Sequence, residues 1–414
     1  MLIRRATLLD GRVADIRVEE QITEVAPTLT RRPDEEVADA KLGTVMPGLH
    51  DHHVHLRAAA AALGSITVGA HFTQTVASAD PDPDGWIRAV GYHESVAGDL
   101  DRVRLDAVRP DTPLRVQHRS GALWILNSAA LARIGCADHP DGRIASTDRR
   151  LDAIPRREPD LSALGRKLAA YGVTGVTDAT PDLTPDDIAY LTGSLTQDVR
   201  CLAPGKKILH DDRLDLDELT RWIADRHADD VPVAIHCVTA AQLVVALAAL
   251  RTAGRHEQDR IEHAAMVPDG CLRDLTEAHV TVVTQPNFIA ERGEQYRRDI
   301  PSDEQPQLWR IASLMRAGVP VAGSTDAPFG DLDPWAAMRA AVTREIGPDE
   351  RVEPLQALQM FLGQPDRPAE PRRVEPGQPG DLCLLALPPE AALDAMSSDM
   401  VVAAVVKGVV VEAG

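Results

Sequence analysis

The spacing of apolar and polar positions changes character twice along this chain. At the N-terminal end, residues 2–9 are mostly apolar and stop at the turn pair Asp10-Gly11, and residues 14–18 and 22–25 repeat the same short texture. The C-terminal end matches it, with apolar runs at 382–387, 401–406 and 409–411 set off by Gly380-Asp381 and Gly408. Between these ends, runs of strand length lie at 45–55, 114–117, 173–178, 206–209, 231–237, 260–263, 280–285 and 319–325. Helical patterns separate many of them: 162–171 ends at Gly172, 216–228 opens on an acidic turn, and 240–253 ends at Gly254. Eight strands alternating with helices predict an α/β fold, a (β/α)8 TIM barrel. Strands at both ends predict a small β-sandwich domain formed from both chain termini. The expected boundaries are 1–46 plus 375–414 for the terminal domain and 47–374 for the barrel. Insertions are expected between the first two strands and around residues 136–160, and the proline-rich stretch 365–379 reads as the passage back to the terminal sheets.

Composition narrows the class. With 414 residues, 44% of them hydrophobic, the chain can bury a large core. A net charge of −19 argues against nucleic acid or an anionic membrane surface as partner. Five scattered cysteines without a Cys-x-x-Cys pair suit a reducing cytoplasm. The N-terminus lacks the apolar run of a signal peptide, and no apolar run is long enough to span a bilayer. A cytoplasmic enzyme with a small-molecule substrate is therefore expected, with a homodimer as the default assembly.

Chemistry concentrates at the ends of the expected strands. The run Leu49-His50-Asp51-His52-His53-Val54-His55 closes the first one. In an extended strand His53 and His55 project to the same face, which makes half of a metal site, whereas His50 and His52 fall on the other face. His118 ends the second strand and Asp178 the third; the fourth carries Lys206-Lys207 and the fifth ends at His236. The sixth ends at His263, Gln285 and Asn287 close the seventh, and the eighth ends in Gly323-Ser324-Thr325-Asp326. In a barrel all these ends open onto one face.

These motifs resemble the amidohydrolase superfamily, in particular its branch of YtcJ-type exo-amidases, the amidohydrolase 3 group. The matching segments are Pro47–His55, Val233-Ala234-Ile235-His236, Arg260-Ile261-Glu262-His263, Thr284-Gln285-Pro286-Asn287 and Gly323-Ser324-Thr325-Asp326-Ala327-Pro328. Gly85-Trp86-Ile87-Arg88-Ala89-Val90-Gly91-Tyr92 and His118-Arg119-Ser120-Gly121-Ala122-Leu123-Trp124 match the branch in particular. The resemblance implies a divalent metal centre, most simply zinc, of one ion or, as a binuclear centre, of two. His53, His55 and Asp326 would hold one metal, His236 and His263 the other, and a carboxylated lysine on the fourth strand would bridge them. Lys207 is the expected bridge, with Lys206 on the opposite face. A carbamate forms only from a neutral amine, so burial beside cations must lower that lysine's pKa.

The implied reaction is attack of metal-bound hydroxide on a non-peptide amide, cyclic amide or carbamate, with Asp326 carrying the proton to the leaving nitrogen. Asp51 is expected to support the histidine strand. His118, Gln285 and Asn287 are expected to meet substrate, with Arg292, Tyr296 and Arg344 near the pocket. An esterase or lactonase would use the same chemistry. A superfamily deaminase ranks lower, because no acid closely follows His236. A metal-binding barrel without turnover is the remaining alternative.

Overall fold

The structure, a computed structural model, describes residues 1–69, 71–155 and 158–411. They form two compact units, one of residues 1–56 with 161–414 and one of 57–160.

The first unit is built on two parallel sheets. We number their strands β1 (Leu49–Val54), β2 (Val173–Asp178), β3 (Asp198–Cys201), β4 (Lys206–Ile208), β5 (Ala234–Cys237), β6 (Arg260–His263), β7 (Thr281–Thr284) and β8 (Val321–Gly323). One sheet has the order β3-β2-β1 and the other β4-β5-β6-β7-β8. Most of these strands are buried along their length, as parallel strands covered on both faces must be. The end of β8 reaches β1, where the Asp326 N–H donates to the His53 carbonyl at 2.9 Å. Two strands differ from expectation. Asp198–Cys201 pairs with β2 although its polar composition hides it, and Leu114–His118 lies outside both parallel sheets.

The chain ends supply two further sheets of four strands each. One joins Leu2–Thr7, Val13–Val18, Ile22–Ala26 and Val37–Asp39; the other joins Val45–Pro47, Leu382–Leu385, Val401–Val406 and Val409–Val411. Ile3, Ile16, Val18 and Ile22 of the first share one apolar cluster with Val45, Leu382, Leu384 and Val405 of the second.

The second unit carries its own five-stranded sheet, in the order Arg143–Ala145, Leu123–Leu126, Leu114–His118, Ile87–Tyr92, Ile66–Thr67. Its core packs Phe72, Val76, Tyr92, Leu105, Val116 and Ile125. Among the described residues, no helix is long and apolar enough to cross a membrane.

Strand β1 is fully buried although four of its six residues are polar. Burial of such groups is tolerable only where they find partners or stay neutral. The His50 ring pairs with the Thr177 hydroxyl at 2.9 Å and stacks on His52 with centroids 4.5 Å apart. Gly175 makes room for it, since a Cβ there would lie 2.4 Å from His50 Nδ1. Burial holds both imidazoles well below their ordinary pKa, helped by the charges of Arg372 and Arg260. In the unfolded chain both rings take up a proton as pH falls through about 6.5, whereas in the fold they stay neutral. Acid therefore favours the unfolded state, by up to about 1.4 kcal/mol per pH unit for each ring. Thermal denaturation should show the melting temperature falling steadily from pH 7 to pH 5. A flat profile over that range would contradict this packing.

Candidate metal centre

The chemistry is gathered at the ends of β1, β5 and β6, just beyond β8 and at the first residue of β4. His53 and His55 both reach Asp326: their Nε2 atoms lie 3.5 and 3.4 Å from its Oδ1. The donor atoms of this trio all fall within 4.8 Å of one another. The His263 ring stands 4.7 Å from that of His53 and 4.4 Å from that of His236, centroid to centroid. His263 and Asp326 have φ of 71° and 56°, left-handed values that cost strain in residues with a Cβ and that cluster at functional sites. The turn at His263 explains how it and its neighbour Glu262 can both serve the site from adjacent positions of a strand end.

Hydrogen bonding settles which ring nitrogens are free. His53 Nδ1 bonds the Glu262 carboxylate. Burial pushes the Glu262 carboxyl up, but the charges of Arg260 and Lys206 outweigh it and hold the pKa below the usual range. Glu262 is therefore the acceptor, His53 Nδ1 carries the proton, and the Nε2 lone pair faces Asp326. Gln285 does the same for His263: its Oε1 lies 2.8 Å from Nδ1, while its Nε2 donates to Ser324 Oγ at 2.8 Å. His236 is held down to about 3, by burial and then by the charge of Lys206. His53, His236 and His263 are thus neutral, as metal ligands must be.

A divalent cation fits this donor set. Asp326 Oδ1 is buried without a hydrogen-bond partner, and two imidazole nitrogens face it. With the His53 proton on Nδ1, a lone pair and a carboxylate oxygen oppose each other there, an arrangement that a shared cation relieves.

The lysine assignment changes. Lys206, 5% exposed, carries a buried Nζ without a hydrogen-bond partner. Burial lowers its pKa to about 8, with the charge of Glu262 opposing. Lys206 also acts on the pKa values of His53, His236 and His263, as a neighbour inside the site does. Lys207, the expected bridge, points the other way. Its side chain is 26% exposed, its Nζ pairs with Glu218 at 3.2 Å, and it lies 5.3 Å from the centre of the Trp222 ring. Alternation along β4 sends neighbouring side chains to opposite faces, and the face is the reverse of the one expected.

Other residues take positions of support. Asp51 ties β1 to the end of β8: it accepts from the Thr325 N–H at 3.1 Å, from the Thr325 hydroxyl and from the His53 N–H at 3.2 Å. Burial raises its pKa to about 6, with the Thr325 bond opposing. Asp178 binds the Leu56 and Thr180 N–H groups at 2.8 and 2.9 Å. Gln285 is fully buried with both amide atoms engaged, so it orients His263 and does not face substrate. Asn287, also buried, donates to the Thr325 carbonyl at 3.1 Å and to Glu291 at 2.9 Å. Arg344 spends its donors on the carbonyls of Ile346, Trp309 and Leu308.

His118 belongs to the second unit and to none of the strands β1–β8. There His93 and His118 direct Nε2 at one Glu94 oxygen, 3.8 and 3.5 Å away. Each Nδ1 receives the N–H of the serine two residues on, Ser95 and Ser120, at 3.2 and 3.1 Å. That bonding leaves the proton on Nε2, so in neutral form both rings are donors toward Glu94.

Sequence reasoning assigned no role to Glu262 or Arg260. The Arg-x-Glu spacing was a usable signal, because residues two apart on a strand share a face. Arg260 Nε bonds Glu262, and its Nη2 donates to Glu262 at 3.1 Å and to the His52 carbonyl at 2.6 Å.

Known proteins carry the same framework. An N-substituted formamide deformylase of Arthrobacter pascens is 24% identical over 486 aligned positions, which cover 91% of this chain and 88% of that protein. The crystal structure of an uncharacterized metal-dependent hydrolase from Pyrococcus horikoshii OT3 superposes with a TM-score of 0.73 at 19% identity, covering 94% of this chain and 97% of that one. A 5-methylcytosine deaminase from Klebsiella pneumoniae shares the fold at a TM-score of 0.58 and 15% identity, over 99% of this chain and 98% of its own. The amidohydrolase family model matches residues 36–412, nearly the whole length. The chain belongs to the amidohydrolase family.

Proposed function

We propose that this protein is a metal-dependent hydrolase that cleaves a C–N bond in a small non-peptide amide. In this reading the two parallel sheets close into one (β/α)8 barrel, and the sheets from the chain ends form a β-sandwich of residues 1–46 and 375–414. The barrel spans 47–374, with 57–160 inserted after β1. The observation that carries the reading is the convergence of His53 and His55 on an unpartnered Asp326 oxygen, with the His53 tautomer fixed by Glu262.

His53, His55 and Asp326 would hold one divalent ion, and His236 and His263 a second; zinc suits imidazole with carboxylate. Bound there, such ions would supply Lewis acidity, lowering the pKa of water and polarising the scissile carbonyl. Lys206, its pKa lowered by burial to about 8, is the amine that would add carbon dioxide, releasing one proton, to give an anionic carbamate ligand. Asp326 takes the proton from the attacking water and delivers it to the departing nitrogen. Glu262 and Gln285 keep their histidines in the liganding tautomer throughout.

The relative from Arthrobacter pascens makes N-formyl amines the first substrates to try. Purified protein should release amine from a panel of formamides and other small amides, lose that activity on chelation and regain it with zinc. Activity indifferent to chelation, or absent from zinc-loaded protein across the panel, would overturn the proposal.

A further inference from the structure

The whole chain has four phenylalanines, five tryptophans and four tyrosines, and several of them meet beside the metal centre. Phe329 follows Asp326 by three residues and presents its ring edge-on to His55, centroids 5.1 Å apart. It packs, with Tyr296, against a cluster that includes Phe288, Trp309, Leu308 and Ile346. Phe288 and Trp309 lie 5.3 Å apart. An apolar wall therefore begins at a ligand histidine.

One cation stands on that wall. Arg292 joins the helices Asn287–Glu291 and Gly293–Asp299. Its guanidinium carbon is 3.8 Å from the Phe288 ring centre, and its Nη2 donates to the Phe329 carbonyl at 2.9 Å. No other side-chain bond and no ion pair of Arg292 forms among the described residues. The buried arginines of this unit behave differently. Arg344 and Arg372 each direct their donors at three backbone carbonyls, and Arg260 is paired with Glu262. The acid beside Arg292 is engaged elsewhere: Glu291 accepts from Asn287 at 2.9 Å and from the Asp331 N–H at 3.0 Å. Arg292 is thus held flat by an aromatic ring with most of its planar fork unspent. Such a fork matches a carboxylate in two-point geometry.

We infer that Arg292 binds a carboxylate of the substrate, so that the enzyme favours amides bearing an acid group and an apolar group near the scissile bond. The apolar group lies on the wall of Phe329 and Phe288. This deepens the hydrolase reading and rests on it.

The test compares N-formylphenylalanine with N-formylphenethylamine, which differ by one carboxylate, on the zinc-loaded enzyme. Within each enzyme the ratio of kcat/KM for the two is read, so a general loss of folded protein cancels. The wild type should favour the acid, and R292Q should lower the ratio roughly 10–100-fold through KM, as loss of a charge-assisted bond does. A wild type without that preference, or an unchanged ratio in R292Q, overturns the inference while leaving amide hydrolysis intact. If neither compound nor any other amide is cleaved, the hydrolase reading fails instead. Calorimetry of 3-phenylpropionate against 3-phenylpropanol then decides the Arg292 site: a preference for the acid that R292Q abolishes supports it, and equal binding overturns it.

Discussion

Lys206→Ala should cost about 10³-fold in kcat/KM, equivalent to about 4 kcal/mol of transition-state stabilisation. Lys207→Ala should leave turnover within about twofold and stability within about 0.5 kcal/mol, as a surface substitution does. The contrast is large because the two side chains share a strand and a chemical identity and differ only in the face they occupy. Lys206 is buried among the candidate ligands with its amine unpartnered, and Lys207 pairs with Glu218 beside Trp222. Zinc titration of the two variants gives an independent reading, because only Lys206→Ala removes a proposed ligand and should weaken binding. The reverse result, with Lys207 the sensitive position, would mean that β4 is placed in the wrong register.

Asp326→Asn should lower kcat by about 10²–10⁴-fold, the span that a positioned proton carrier contributes. An amide keeps an oxygen for a cation and the hydrogen-bonding shape, but it cannot shuttle the proton. KM should move little, since no contact with the distant parts of the substrate is lost. The backbone bond from Asp326 to His53 survives the change, so the variant should fold and melt close to the parent. A variant retaining kcat within about tenfold would remove Asp326 from the proton path.

Local structure was largely legible in the sequence because its signals are local. The helices Leu216–Ala228 and Ala240–Ala253 begin and end where expected, since Asp215 and Thr239 cap their starts and Gly254, at φ 91°, ends the second. His53, His55, His236, His263 and Asp326, which the structure brings together, each stand in the sequence as a distinctive residue at or near a strand end. Partnership was not legible. Residues 114–118 have the alternation of a strand and are one, but nothing in the pattern says which sheet they join. Asp198–Cys201 alternates charge with small apolar residues and escaped notice, although it completes the three-stranded sheet. The lysine failed for a related reason. Strand β4 has only three residues and begins with two identical ones, so alternation had no apolar face to fix its register. Glu262 and Gln285 act on histidines 209 and 22 residues away, and such pairings exist only once the chain has folded.

In the proposed enzyme β1, β4, β5, β6 and β8 deliver one set of ligands to divalent metal. Anomalous diffraction at the zinc edge, on crystals grown with zinc and bicarbonate near pH 8, tests it directly. The expected result is a strong peak among His53, His55 and Asp326, a second beside His236 and His263, and density for a carbamate extending from Lys206 between them. Crystals of active enzyme with no anomalous peak at these residues would contradict it.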